Sequence, residues 1–171
     1  MAERSQRLST KLDAFSIATG RAVAWLTLLM VVTTFAIVVL RYAFDAGFIW
    51  LQESLIWMHG AVFMLGAAYT LQQEEHVRVD IFYRDMNPGK RAWVDVLGVL
   101  FFIFPLCLFF LVESWDYVRA AWSVQEISRD SGGLSYPAIP LLKSILLVMP
   151  IAVALQGLSL LLVSVRRLRG R

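Results

Sequence analysis

Cysteine is nearly missing from these 171 residues: the one thiol, Cys107, lies inside a long apolar run. A lone cysteine excludes an intrachain disulfide, a thiolate zinc cluster and a dithiol redox couple. Histidine is scarce as well, with two in the chain, and charged residues make up 17% against about 25% in an average soluble domain. There is no glycine loop to cradle phosphate, no activated serine or cysteine, and no buried carboxylate pair for acid–base work. No catalytic function, cofactor or metal is therefore expected. No internal repeat or low-complexity linker marks a second domain, and the length suits one.

What the chain has in excess is apolar residues, 58% of the total, gathered into four runs. Residues 22–40, 55–71, 96–112 and 145–165 carry no Asp, Glu, Lys or Arg, and the second is broken only by His59. A bilayer crossing takes about 20 mostly apolar residues at about 1.5 Å rise each. A water-soluble core of this size could not bury so much apolar chain. The expected fold is an all-α integral membrane bundle, one domain over residues 1–171, with spans at about 22–41, 50–73, 92–118 and 141–165. The first span is too long for the core of a signal peptide and has no small-residue cleavage site before Arg41, so it is expected to stay as helix one.

Four spans put both termini on one side, and the basic residues choose it. Twelve Lys and Arg flank the terminal side: Arg4, Arg7, Lys11, Arg21, Arg78, Arg84, Lys90, Arg91, Arg166, Arg167, Arg169 and Arg171. Four lie opposite, namely Arg41, Arg119, Arg129 and Lys143. The termini and the middle loop are therefore expected in the cytoplasm. The net charge of +3 belongs to span ends facing anionic lipid, and nucleic acid is not an expected partner. Trp50, Trp115, Tyr117, Trp122 and Tyr136 fall on the outer side as an interfacial aromatic belt. Within the middle loop, Val79, Phe82, Tyr83 and Met86 recur at helical spacing opposite His76, Asp80 and Arg84. That pattern predicts a short amphipathic helix in the interface over about 76–87, with Asn87 and Pro88 starting the third span.

Polar groups near the spans are few. Asp95 and Glu113 both lie close enough to a span end for a solvated or salt-bridged role, and Lys143 can snorkel outward. On the second helix, Glu53, Gly60, Ala67 and Glu74 repeat every seven residues on nearly one stripe. Gly60, with Gly66, Ala67 and Ala68, would let another backbone approach, either from this chain's own bundle or from another membrane subunit. His59 and His76 are about 25 Å apart along a continuous helix, too far for one haem. His76 and Asp80 at i, i+4 suit a hydrogen-bonded pair better than a metal site.

Three stretches taken in order resemble a known family: Phe48-Ile49-Trp50-Leu51-Gln52-Glu53, then Leu65-Gly66-Ala67-Ala68, then His76-Val77-Arg78-Val79-Asp80. Together with Arg41-Tyr42-Ala43-Phe44 before them, they look like the small membrane subunit (small permease, DctQ type) of the tripartite ATP-independent periplasmic, or TRAP, transporters. The resemblance implies a scaffold role beside a large membrane subunit that carries substrate and sodium. A periplasmic binding protein delivers the solute, commonly a carboxylate. Arg41, Trp50, Glu53, Gly60, Gly66, Ala67, His76 and Asp80 are the expected interface or structural residues. Many relatives place an arginine shortly after the helix-two glutamate, where this chain has Ser54, Leu55 and Ile56; Arg41 across the short turn is then the expected partner of Glu53. The competing classes are a membrane anchor of a respiratory complex, which the histidine spacing disfavours, and a small four-helix exporter, which would carry a buried glutamate in helix one.

Overall fold

The computed structural model describes residues 2–73 and 86–170, with side chains from residue 6 onward. The described chain forms α1 (Ala2–Ala43), α2 (Ile49–Gln72), α3 (Pro88–Gly98), a π-helical turn (Val99–Ile103), α4 (Phe104–Ser123) and α5 (Ala138–Arg169). The π turn joins α3 and α4 into one continuous span, so four helices are long and apolar enough to cross a membrane. The expected interfacial helix at 76–87, with His76 and Asp80, lies almost wholly outside the described residues.

The helix ends follow from local chemistry. Asn87 caps α3, its side chain accepting from the Lys90 N–H at 2.9 Å, and Pro88 occupies the first turn, where no N–H is needed. Pro105 has no N–H to donate, and in a regular helix its ring would crowd the carbonyl of residue 101. The widened turn just before it absorbs that conflict, with Phe104 N–H bonding back five residues to Val99 O. At the other corner Asp45 and Gln125 take φ of 52° and 50°, and Gly132 takes 83°. These left-handed residues turn the chain sharply at the 44–48 and 124–137 connections.

Packing is inside-out relative to a soluble bundle. The exterior carries Trp25 (72% exposed), Phe35 (69%) and Phe102 (75%). The interior mixes small and polar side chains, among them Ala61, Ala68, Ala92, Ala121, Ser16, Gln156, Ser159 and Ser164, with larger apolar ones such as Met58, Leu71, Val99 and Ile145. Lipid is as apolar as leucine, so helices in it gain nothing by hiding leucines; they gain dispersion contacts where small residues let backbones close up. α5 is the hub, packing on α1, α2, α3 and α4. Gly157 at its middle lies so near the π turn that a Cβ there would be 3.1 Å from Ile103 Cγ2.

The first helix is twice what the bilayer needs. Its 42 residues extend about 63 Å, against a hydrocarbon core of about 30 Å. The segment before residue 22 is the first half of the helix and packs on α5 through Ser9 and Ser16.

Candidate functional site

Two polar assemblies brace the bundle, one at each end. At the loop end Glu53 reaches out of the second turn of α2 and takes the 124–137 loop with both carboxylate oxygens. Oε1 accepts from Ser128 Oγ, and Oε2 accepts from the Leu134 N–H at 2.5 Å. The Trp50 N–H adds a bond to Gly132 O at 3.1 Å. Gly133 is required here, because a Cβ would lie 2.6 Å from Ser128 Cβ and 2.7 Å from Glu53 Oε2. Around this clamp Lys143 pairs with Glu126 at 2.6 Å and lies 4.1 Å from the centroid of Tyr117. Trp57 Nε1 donates to Ala138 O at 3.2 Å, and Trp122 Nε1 to Ser144 Oγ at 2.9 Å.

Glu53 was expected to pair with Arg41, and it does not. The loop reaches its carboxylate first, with a hydroxyl and a backbone amide that need no long side chain to be immobilised. Arg41 stays exposed at the end of α1. The aromatic belt does gather at this end: Trp50, Trp115, Tyr117, Trp122 and Tyr136 are all exposed there.

At the terminal end a polar seam runs between α1 and α5. Ser16 Oγ donates to Gln156 Oε1 at 2.7 Å, and Gln156 Nε2 donates to Asp13 Oδ1 at 2.9 Å. Ser159 Oγ donates to the same Asp13 oxygen at 2.7 Å, and Arg166 Nη2 donates to Ser9 Oγ at 3.1 Å. From α3, Asp95 joins through Ser164 Oγ at 3.5 Å. Asp95, for which a solvated or salt-bridged role was expected, is buried, because α3 lies against the last turns of α5. The seam was missed in the sequence although its signal was there: Ser9, Asp13, Ser16 and Gly20 sit at i, i+4, i+7, i+11, one polar and small face of a helix.

The stripe of α2 divides. Gly60 is half-buried at the edge of α5, where a Cβ would meet Leu142 Cδ1 at 3.3 Å, so its small size serves this chain's own packing. Ala67 is half-buried and Ala68 buried, whereas Gly66 opens onto free space. His59 is exposed, its ring 4.7 Å from that of Phe63. Among the described residues no cluster of His, Cys, Asp or Glu could hold a metal. A polar notch of about 150 Å³ beside Asp13 and Gln156 falls below the range of roughly 300–1,000 Å³ usual for small-molecule sites. The larger groove of about 310 Å³ between α2 and α5, lined by Ile56, Gly60, Met64, Leu142 and Lys143, lies open along its length.

Polar contacts thus brace the bundle at both ends of helices long and apolar enough to cross a membrane. Comparison with known families says what such a bundle belongs to. The profile described as "Tripartite ATP-independent periplasmic transporters, DctQ component" matches residues 30–170. The chain belongs to the DctQ family. Over 88 residues it is 25% identical to the C4-dicarboxylate TRAP transporter small permease protein DctQ of Vibrio cholerae serotype O1. That alignment covers 52% of this chain and 38% of the relative's length. No solved structure matches the chain. As a DctQ-family member with four apolar helices, it is a multi-pass protein of the bacterial inner membrane and a component of a transporter.

Proposed function

We propose that this chain is the scaffold subunit of a sodium-driven TRAP transporter that takes up an organic acid, its substrate class a carboxylate. Its partners are a large membrane subunit that moves solute and sodium, a periplasmic substrate-binding protein, and the surrounding bilayer. The observation that carries the reading is the family match across residues 30–170. The name of the Vibrio cholerae relative supports the carboxylate class. The bracing at both ends suits a static support, since a moving element would need weaker contacts across its ends.

In this reading the whole chain is one membrane domain with its termini and middle loop in the cytoplasm, supported by the twelve-to-four distribution of Lys and Arg. The Glu53 clamp then faces the periplasm and holds the 124–137 loop in one shape on the side where the binding protein arrives. Solute and ions pass through the large subunit, and this chain touches neither.

The test is co-expression with the large TRAP permease of the same organism and purification in mild detergent through a tag on this chain. The two should elute together in fixed proportion. Elution of this chain alone, folded and without the permease, refutes the assignment.

A further inference from the structure

The outward face of α2 is the wrong face to show to lipid. Gln52, His59 and Gly66 follow one another every seven residues, with Ile56, Phe63 and Thr70 filling the alternating four-and-three spacing of a helix–helix seam. The face is open at its centre: Ile56 is 66% exposed, Phe63 68%, and His59 is exposed between them, while Gln52, Gly66 and Thr70 are half-buried. His59 lies nine residues beyond Trp50 of the aromatic belt, about 13 Å along the axis and so near the middle of a core about 30 Å thick. Its imidazole makes no hydrogen bond among the described residues; its contact is the ring of Phe63.

An ionisable side chain at that depth almost always faces protein or water, because lipid offers its N–H and lone pair nothing. The other outward faces show the contrast. α4 presents Phe101, Phe102, Leu106 and Phe109, and α1 presents Leu28, Val32 and Phe35. Threonine hydroxyls on α1 and α2 are satisfied within their own helix, Thr34 by Met30 O at 2.8 Å and Thr70 by Gly66 O at 3.1 Å, which leaves His59 as the polar group in need of a partner. α2 is also the least apolar span, with mean hydropathy 1.4 against 2.4 to 2.6 for the other three. A second, independent feature points the same way: nothing lies within 4 Å of where a Cβ on Gly66 would be, so the backbone is bare two turns from His59.

We infer that the Gln52–His59–Gly66 face of α2 is the docking surface for a membrane helix of the large permease. That helix carries a hydrogen-bonding side chain level with His59 and crosses closest at Gly66. The inference rests on the proposed function for the identity of the partner. It moves the docking stripe from Gly60, which lies against Leu142 of α5, to the one a residue round the helix.

The experiment places a photo-cross-linking amino acid at position 59 or 63, and at 102 or 109 on α4, in cells co-expressing the large permease. Adducts to the permease are expected from 59 and 63, with little from 102 and 109. In parallel, His59→Leu should weaken the association of the two subunits by about three- to thirtyfold, the range of one interhelical hydrogen bond in lipid, while the variant still inserts and folds. Permease adducts confined to 102 or 109 overturn the docking face, as do adducts from 59 and 63 that join two copies of this chain or reach only lipid. If wild-type subunits co-purify while those adducts appear, the proposed function stands and only the docking face falls. If wild-type subunits fail to co-purify, both fall.

Discussion

Gly20 is the tightest point between α1 and α2, and replacing it with alanine separates two opposing effects. Its Cβ would come within 2.6 Å of Tyr69 Cβ and Cδ2, and nearer still to Cγ. These atoms are the root of the tyrosine, so rotation about χ1 cannot carry Cβ away. The helices must part by about 1 Å to restore van der Waals spacing, which loses dispersion along the whole seam. Overpacking of this kind costs about 1–3 kcal/mol, and the unyielding neighbour puts it toward the upper end. Alanine returns about 0.8–1 kcal/mol as a better helix former, leaving a net loss of about 1–2 kcal/mol. On the scaling of globular domains of this size that is a drop of about 2–8 °C in Tm. Gly98→Ala is the internal control, since nothing lies within 4 Å of its Cβ position and only the helix-propensity gain applies. Thermal unfolding of the purified subunit in detergent, followed by size-exclusion of the surviving monomer, compares the two. A Gly20→Ala subunit at least as stable as Gly98→Ala would refute the close-packing argument.

Further outcomes follow from the same contacts. Glu53→Gln puts an amide donor among the Ser128 and Leu134 donors, so the 124–137 loop should open and trypsin should cut faster at exposed Arg129; Arg41→Ala should leave that rate unchanged. If Arg41→Ala accelerates cleavage as much as Glu53→Gln does, the clamp is misassigned. Gln156→Leu strands Ser16 and removes a donor from Asp13, and should cost about 1–3 kcal/mol of thermal stability, whereas a neutral result would remove the seam from the account. For the orientation, single cysteines at 131 and 169 in a Cys107→Ser background should differ in intact cells. An impermeant thiol reagent is expected to label 131 only, and labelling of 169 alone would invert the topology.

The spans were legible because hydropathy is a local property: four runs without Asp, Glu, Lys or Arg can be read without knowing what they touch. So was the start of α3, where Asn87 and Pro88 act within one turn. Direction was not legible. Whether Gly60 or Gly66 faces outward depends on how Ala61 and Ala68 seat α2 within the bundle, and periodicity alone fixes a stripe without saying which way it points. Glu53 shows the same gap. Its partners are 75 and 81 residues away in a loop whose sequence bears no charge complementary to it at those positions, and one of them is a backbone N–H. The α1 seam was concealed for another reason. Ser9, Asp13 and Ser16 precede the apolar run, and polar residues before a span read as solvated tail until a facing Gln156 gives them partners.

Reconstitution shows whether transport needs this chain. The large permease is placed in proteoliposomes with and without this chain, the periplasmic binding protein and a labelled C4-dicarboxylate are supplied outside, and uptake is measured under an inward sodium gradient. Uptake should need both membrane subunits and the gradient, and vesicles holding this chain alone should accumulate nothing. Equal uptake without this chain, or uptake by this chain alone, would contradict its assignment as the scaffold of a TRAP transporter.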